Sequence, residues 1–278
     1  MKGEAASTGV GKAVHSWSLF RTMGRFVADG SMPSGDLEPR QDPGLSLLDL
    51  PAELARHGYT SAQLCHFYLA GRDPAYLQEV RSAFSDAEVE LECLLIDDGD
   101  LTHPSEGEAQ LEWVSQWLDV AAHLLPQRVR VVAGKQPPST DTLTLSAGRL
   151  TQLARRHPDV RIVTENWHAL LPDAASVLEL LERTDGEIGF LVDLGNWKGP
   201  GKYAELSAVA SRAETCQAKV RTGSDGSIDA EDYRLSLRAL RDHGYRGPLA
   251  LVYDGPDPRE WEHLEDAYGI VTEVFAPA

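Results

Sequence analysis

The sequence predicts an α/β protein with one domain, a (β/α)8 or TIM barrel, on three observations. Short β-forming runs alternate with longer helical patterns about eight times, and 278 residues is the size of one closed barrel. Several of the β runs are almost continuously apolar (VRVVA, IGFLVD, LALVYD), which is typical of parallel strands buried on both faces. The alternative, an open doubly wound sheet, usually needs a G-x-G-x-x-G turn after its first strand, and FRTMGRFVADGSMPSG is not such a turn.

The predicted strands are short runs of β-branched, aromatic and other apolar residues. In chain order they are Val14–Leu19, Ser61–Leu69, Val89–Ile96, Val129–Ala133, Arg161–Glu165, Ile188–Asp193, Thr215–Val220 and Leu249–Asp254.

The predicted helices show apolar residues at spacings of three and four. In chain order they are Leu47–His57, a helix that begins at Pro74, residues 107–125, Ser146–His157, Asp173–Arg183, Lys202–Arg212, Asp229–His243 and Asp257–Val274. Asp73, Asp229 and Asp257 are the expected N-caps, and Gly58 is expected to end the first of these helices.

The segment Arg21–Leu45 follows the first strand and is rich in Gly, Pro and Asp, without apolar periodicity. As the first βα loop it would lie over the barrel mouth, where it is either a lid that covers the substrate or a surface insertion. The sequence shows no second domain, so residues 1–278 are expected to form a single TIM-barrel domain.

Composition narrows the classes of partner. The formal net charge of −17 repels phosphate backbones, so no nucleic-acid partner is expected. There is no apolar run of about eighteen residues for a membrane helix, and no apolar signal-peptide core at the N-terminus, so a cytoplasmic protein without a membrane partner is expected. Cys65, Cys93 and Cys216 lie in apolar runs without a CxxC pair, which predicts buried thiols in a reducing compartment.

Functional groups of a barrel lie at the C-terminal ends of its strands. Strands five, six and eight end in carboxylates, Glu165, Asp193 and Asp254, and strand seven carries Gln217 and Lys219 on one face. Carboxylates brought together repel one another unless a cation joins them. Oxygen ligands suit Mn²⁺ or Mg²⁺, so the sequence predicts a divalent-metal site at the barrel mouth.

The same runs resemble the xylose-isomerase-like superfamily, which includes sugar-phosphate isomerases, ketose 3-epimerases, hydroxypyruvate isomerase, inosose dehydratase and endonuclease IV. TENWHALLPDAASVLELLE, GFLVDLGNW, CQAKVR and GYRGPLALVYDG are similar to its E-N run, D-x-x-H, H-x-K-D and G-Y-x-G-x-x-x-x-E motifs. The resemblance implies that one divalent metal is bound by Glu165, Asp193, Gln217 and Asp254. It also implies that Glu165 and Asp254 form the acid/base pair.

Four positions depart from the family motifs. The histidine of D-x-x-H is Asn196, the usual strand-seven histidine is Gln217, the strand-eight glutamate is Asp254, and Val220 replaces an aspartate. An aspartate is one methylene shorter than a glutamate, and a misplacement of about 1 Å can cost on the order of 10²-fold in rate. Endonuclease IV would need the missing histidines for its metals, and the acidity of the chain also argues against it.

Further residues are candidates for substrate binding at the mouth. Histidines there can hold a sugar hydroxyl or move a proton, tryptophans can stack on a sugar face, and cations can hold an anionic substrate or an oxyanion. The candidates are His15, Trp17, His66, His103, Asn196, Trp197 and Arg221.

The sequence therefore predicts a metal-dependent sugar, sugar-phosphate or keto-sugar isomerase or epimerase. Glu165 and Asp254 would exchange a proton beside the substrate carbonyl, and Lys219 or His66 would stabilise the enediolate. Two alternatives stay open: a keto-sugar or inosose dehydratase or lyase, and a catalytically impaired barrel that binds a sugar or a protein partner. The expected partner is a small sugar or keto-acid, and homo-oligomerisation is left open.

Overall fold

The computed structural model describes residues 10–24 and 44–276. Within these ranges, eight parallel strands close into one barrel in chain order, which confirms the predicted fold class. The strands are β1 Ala13–His15, β2 Ser61–Cys65, β3 Glu90–Leu95, β4 Arg128–Arg130, β5 Ile162–Glu165, β6 Gly189–Asp193, β7 Ala213–Lys219 and β8 Leu249–Val252.

Helices surround this barrel on the outside. They are α1 Phe20–Met23, α2 Leu50–Arg56, α3 Pro74–Asp86, α4 Gly107–Leu124, α5 Thr140–Arg156, α6 Ala174–Arg183, α7 Lys202–Val209, α8 Ala230–Asp242 and α9 Glu260–Phe275. None of the helices in the described ranges is long and apolar enough to cross a bilayer.

The strands are buried on both faces, as their apolar runs predict. Every residue of β6 is buried, and one continuous apolar core includes Val163, Leu191 and Leu251 from β5, β6 and β8. The three cysteines are free and buried, as expected. This packing holds the C-terminal strand ends at one rim, where the candidate site lies.

Seven of the eight strands are shorter than predicted, and in three of them the difference moves candidate site residues. β1 ends at His15, whose Nδ1 accepts a hydrogen bond from the backbone N–H of Trp17 and so starts a 3₁₀ helix, Ser16–Leu19. β2 ends at Cys65 and continues as a second 3₁₀ helix, His66–Tyr68, so His66 is not on a strand. β8 ends at Val252, which places Asp254 in the loop beyond it rather than on the strand.

Three helix starts also differ from the predictions by more than one residue, and α2 begins at Leu50 instead of Leu47. The helix expected at Ser146 begins at Thr140, because Ser139 and Thr142 form a capping box. The helix expected after Asp257 begins at Glu260. The Asp257 carboxylate is instead held by Arg259, through its backbone N–H at 3.0 Å and its guanidinium, so it does not act as an N-cap.

Most of the predicted first loop, residues 25–43, lies outside the described residues, so the lid stays a prediction. The described flanks of this segment meet, since the backbone N–H of Leu45 donates to the carbonyl of Thr22 at 2.9 Å. The buried carboxylate of Glu260 accepts from the backbone N–H groups of Arg21 and Thr22, which ties the flank to the start of α9.

The N-terminal end of the barrel is filled by a polar cluster. Glu92 is buried, accepts from Gln63 Nε2 at 2.7 Å, and pairs with Arg128 Nη1 at 3.0 Å. Glu214 pairs with Arg128 and with Arg161. We call this set the basal network: Gln63, Glu92, Arg128, Arg161 and Glu214.

Candidate active site

A cavity of about 200 Å³ lies at the C-terminal ends of the strands. We call it the central cavity. Its charged lining residues are Asp97, Arg130, Glu165, Asp193, Lys219 and Asp254. The lining also includes His15, Trp17, Trp167, Asn196 and Gln217. The four residues predicted as metal ligands therefore face one cavity.

Glu165, the last residue of β5, is held at both carboxylate oxygens. Asn196 Nδ2 donates to Oε1 at 2.7 Å, and Arg130 Nε lies 3.0 Å from Oε2. The Arg130 pair is close but not aligned for a hydrogen bond, so neither Nε nor Oε2 has a hydrogen-bond partner. Burial raises the pKa of Glu165 to about 7; Arg130 opposes this, and the nearby Asp193 adds to it.

Arg130 and Asp97 form a buried ion pair that the sequence analysis did not single out. Arg130 Nη2 lies 2.5 Å from Asp97 Oδ1, Nη1 donates to the carbonyl of Ile96 at 2.9 Å, and the guanidinium lies over the Trp167 ring. Burial alone would raise the pKa of Asp97, but Arg130 and His66 outweigh it and lower the pKa to about 2. Asp97 is therefore ionised and fixes the guanidinium beside Glu165.

Asp193 and Gln217 are direct neighbours in the β6–β7 register. Asp193 Oδ1 accepts the backbone N–H groups of Gly195 and Asn196, the latter at 3.0 Å, which orients its carboxylate. Burial raises the pKa of Asp193, although Lys219 and these amides oppose the rise. Gln217 is buried, and its Nε2 has no hydrogen-bond partner.

Lys219 and Asp254 form an ion pair on another wall of the central cavity. Lys219 Nζ lies 2.5 Å from Asp254 Oδ2, and both side chains are partly exposed. Burial alone would lower the pKa of Lys219, but Asp193 and Asp254 outweigh it and raise the pKa, so the lysine is charged.

Two predicted substrate-binding residues at the end of β1 and in the turn that follows it line the central cavity. His15 Nδ1 accepts from Trp17 N, and burial lowers the pKa of His15 to about 3, so its imidazole is neutral. Trp17 packs edge-on against Phe67 with ring centroids 6.0 Å apart.

The structure does not place four other candidates on the described lining of this cavity. His66 is fully buried against Trp117, and its Nδ1 accepts the backbone N–H of Asp97 at 3.2 Å. His103 Nδ1 accepts the N–H of Glu106 at 2.9 Å beside the start of α4. Trp197 and Arg221 lie on a neighbouring cavity instead.

This neighbouring cavity, the side cavity, has a volume of about 840 Å³. It is lined by residues that follow β5, β6 and β7 and by the first turns of α7 and α8. The two cavities adjoin, and they share four lining residues: Trp167, Asn196, Lys219 and Asp254.

Comparison with known proteins agrees with this architecture. The family model described as the xylose isomerase-like TIM barrel matches residues 51–269, most of the chain. The chain belongs to this family. Among curated proteins, no sequence matches it significantly.

Many solved structures share the fold of this xylose isomerase-like barrel. A xylose isomerase-like TIM barrel protein from Mycobacterium smegmatis in complex with magnesium has 14% sequence identity and a TM-score of 0.68, over 99% of this chain and 100% of that one. D-psicose 3-epimerase with D-tagatose from Clostridium cellulolyticum H10 has 12% identity and a TM-score of 0.69, over 96% and 100%. For 3-keto-D-glucoside 4-epimerase from E. coli, the identity is 13% and the TM-score 0.63, over 95% and 98%.

The charges and oxygen donors of this barrel's central cavity show whether it suits a divalent metal. Four carboxylates against two cations leave two negative charges in excess, which one divalent cation would balance. Two polar atoms, Glu165 Oε2 and Gln217 Nε2, are buried without hydrogen-bond partners, and turning the Gln217 amide would present its oxygen instead. Within the described ranges, no three His, Cys, Asp or Glu side chains form a metal cluster. The four ligands predicted from the sequence would hold such a metal through carboxylate and amide oxygens on this one cavity: Glu165, Asp193, Gln217 and Asp254.

The pair missed by sequence reasoning had a detectable signal. Arg130 interrupts the apolar run VRVVA, and Asp97 closely follows the apolar run CLLI. A charged residue within a buried barrel strand faces either an apolar helix layer or the interior, and only the interior offers it a partner.

Proposed function

We propose that the chain is a sugar or keto-sugar isomerase or epimerase that works through an enediolate. The observation that carries this proposal is the placement of two carboxylates, Glu165 after β5 and Asp254 after β8, on one central cavity together with a charged lysine, Lys219. Moving a proton at a carbon beside a carbonyl needs an acid/base group and a donor for the enediolate oxygen. The name of the structurally similar D-psicose 3-epimerase describes chemistry of this kind.

Glu165 is the group we assign to proton removal. In the metal-free protein, a pKa of about 7 allows its carboxylate to take a proton and to return it near neutral pH. A metal bound beside it would lower this pKa and favour the carboxylate that takes the proton. Asn196 holds Oε1, and Oε2 has no hydrogen-bond partner, so Oε2 is the oxygen assigned to the proton. Arg130, itself fixed by Asp97, keeps the carboxylate from rotating away.

Asp254 and Lys219 are the partners we assign to the other side of the reaction. Asp254 would return or relay the proton, and the Lys219 ammonium would stabilise the negative enediolate oxygen. Their ion pair holds both groups at the cavity wall before substrate arrives.

We further propose that a divalent metal, Mn²⁺ or Mg²⁺, is held by Glu165, Asp193 and Gln217, with Asp254 as the fourth ligand predicted from the sequence. When bound, such a metal polarises the substrate carbonyl. Support comes from the excess negative charge of the central cavity and from the magnesium complex of the structurally similar mycobacterial protein.

The proposal is tested by deuterium exchange from D₂O into neutral and anionic ketoses, D-fructose, D-tagatose and D-fructose 6-phosphate, followed by NMR with Mn²⁺ present. The wild-type protein should label the carbon beside the carbonyl, and Glu165→Gln should lower the rate by about 10²–10⁴-fold. Glu179→Gln, on the exposed face of α6, is the matched control and should exchange normally. Exchange by Glu165→Gln at the wild-type rate contradicts the assigned role. Product mass separates isomerisation, which conserves mass, from dehydration, which loses one water.

A further inference from the structure

The central cavity is small for a complete substrate site. Its volume of about 200 Å³ is below the roughly 300–1,000 Å³ of typical ligand pockets. The adjoining side cavity adds about 840 Å³ and shares four lining residues with it. A substrate whose reacting end lies in the central cavity and which is too long for it would extend into this adjoining side cavity.

The side cavity differs in charge from the rest of the chain. The protein carries a net charge of −17. The described lining of the side cavity nevertheless includes four cations, Lys198, Lys202, Lys219 and Arg221, against Asp232 and Asp254. With Asp229, the partner of Arg221, also counted, the cations exceed the carboxylates by one. A local excess of positive charge on an acidic protein attracts an anionic group.

Two of these cations are committed to internal pairs. Lys202 Nζ lies 2.7 Å from Asp232 Oδ2 with both side chains buried, and Lys219 is paired with Asp254. These pairs form walls of the side cavity and leave no net charge for a ligand.

The other two cations remain accessible. Lys198 is exposed on the loop after β6 and forms no ion pair with any residue in the described ranges. Arg221, two residues after β7, uses Nε and Nη2 to bind Asp229, yet 68% of its side chain is exposed. A guanidinium has five N–H donors, so Arg221 retains donors for a ligand.

The connection between the two cavities suits a sugar chain. Trp167 lines both cavities, and its ring stacks on His168 with centroids 4.0 Å apart. Asn196, which also lines both, has a carbonyl and an amide for hydroxyl groups. Because His168 and Arg130 pack on the Trp167 ring and Asn196 Nδ2 donates to Glu165, the Asn196 carbonyl oxygen is the group this connection offers to a hydroxyl.

We propose that the side cavity binds an anionic group, a carboxylate or a phosphate, that the substrate carries at the end opposite its reacting carbonyl, and that Lys198 and Arg221 recognise it. This inference rests on the proposed function for the position of the reacting end. It narrows the substrate class from neutral sugars to anionic sugar derivatives.

The test uses polyols without a carbonyl, so that binding is measured apart from turnover. Calorimetry at low salt compares D-glucitol 6-phosphate with D-glucitol, and D-gluconate provides the carboxylate arm. The phosphate or the carboxylate should bind at least about tenfold more tightly than D-glucitol, and the stronger of the two identifies the anion. Lys198→Gln and Arg221→Gln should each remove most of this preference, and raised salt should weaken it.

Lys135→Gln is the matched control, because this partly exposed lysine pairs with Asp98 and lies outside the described lining of the side cavity. The control should keep the full preference. Equal binding of charged and neutral polyols overturns the inference, as does failure of all the probes to bind. An equal loss in Lys135→Gln also overturns it, because the preference for the anion would then come from the overall charge of the protein and not from the side cavity. The preference should persist in Glu165→Gln, so a failed exchange experiment and a failed anion subsite are distinguishable.

Discussion

At the N-terminal end of the barrel, Glu92 and Glu214 of the basal network meet two arginines, Arg128 and Arg161. At the C-terminal end, four carboxylates share the central cavity with two cations among the described lining residues, Arg130 and Lys219. Both ends bury charged groups in the barrel interior. The basal network is balanced in charge, whereas the central cavity keeps two negative charges in excess.

This difference separates stability from function within one fold. A balanced, hydrogen-bonded cluster stabilises the fold without any bound ligand. An excess of buried negative charge costs folding free energy until a proton, a metal or a cationic group neutralises it. The destabilised C-terminal end is also the end where barrels carry their active sites. Active-site residues commonly lower the stability of a fold.

The largest effect is expected from breaking the balanced end. Arg128→Met leaves the buried Glu92 without its cation and should lower the free energy of unfolding at pH 7 by about 3–4 kcal/mol. Burial already raises the pKa of Glu92, so the loss should shrink at pH 5, where the carboxyl takes up a proton. Urea denaturation at both pH values measures this. The rate of deuterium exchange into the ketose, measured per folded molecule, should not change. A large loss of this rate would show that the basal network and the central cavity are coupled.

A slightly smaller effect is expected from pH at the central cavity in the metal-free protein. The pKa of Glu165 is raised from 4.5 to about 7, and this difference corresponds to about 3 kcal/mol. Because the folded-state pKa is the higher one, this stabilisation is complete below pH 4.5 and is lost as the pH rises through 7. Glu165→Gln should therefore be more stable than the wild-type protein at pH 8, in urea denaturation with chelator present. Equal stability of the two proteins at pH 8 would mean that Glu165 is already neutralised.

Metal addition should act in the same direction with a similar size. At about 100 times its Kd, Mn²⁺ or Mg²⁺ should raise the free energy of unfolding by about 2.7 kcal/mol. Asp193→Asn should reduce this gain strongly, whereas Glu214→Gln, in the basal network, should keep it. Thermal unfolding during a metal titration measures both variants. An undiminished gain in Asp193→Asn would place the metal elsewhere.

Periodicity was enough to predict the barrel, because burial on both faces leaves a clear apolar run for strands such as β6. The strand-end rule also predicted Glu165, Asp193, Gln217 and Lys219, which line the central cavity. Arg130 was missed because its role depends on Asp97 and Glu165, whose strands are β4's neighbours in the barrel but distant in sequence. His66 shows the reverse: its spacing suggested the mouth, but a 3₁₀ turn places it against Trp117.

The smallest effect is expected from Glu214→Gln in the basal network, which should change the free energy of unfolding in the opposite direction to Glu165→Gln in the central cavity. Burial alone would raise the pKa of Glu214, but Arg161 and Arg128 outweigh it and hold the pKa below its usual range. The charged form of Glu214 therefore stabilises the fold, and Glu214→Gln should cost about 1 kcal/mol at pH 7, since the pair is partly exposed. This loss should shrink as the pH falls below 4.5, the ordinary pKa of a glutamate, and should vanish once the pH passes the lowered folded-state pKa of Glu214. Glu165→Gln should instead gain stability at pH 7 without metal. If both substitutions destabilise the protein to the same degree, the central cavity is as well compensated as the basal network, and its excess charge cannot be what draws a metal or a proton.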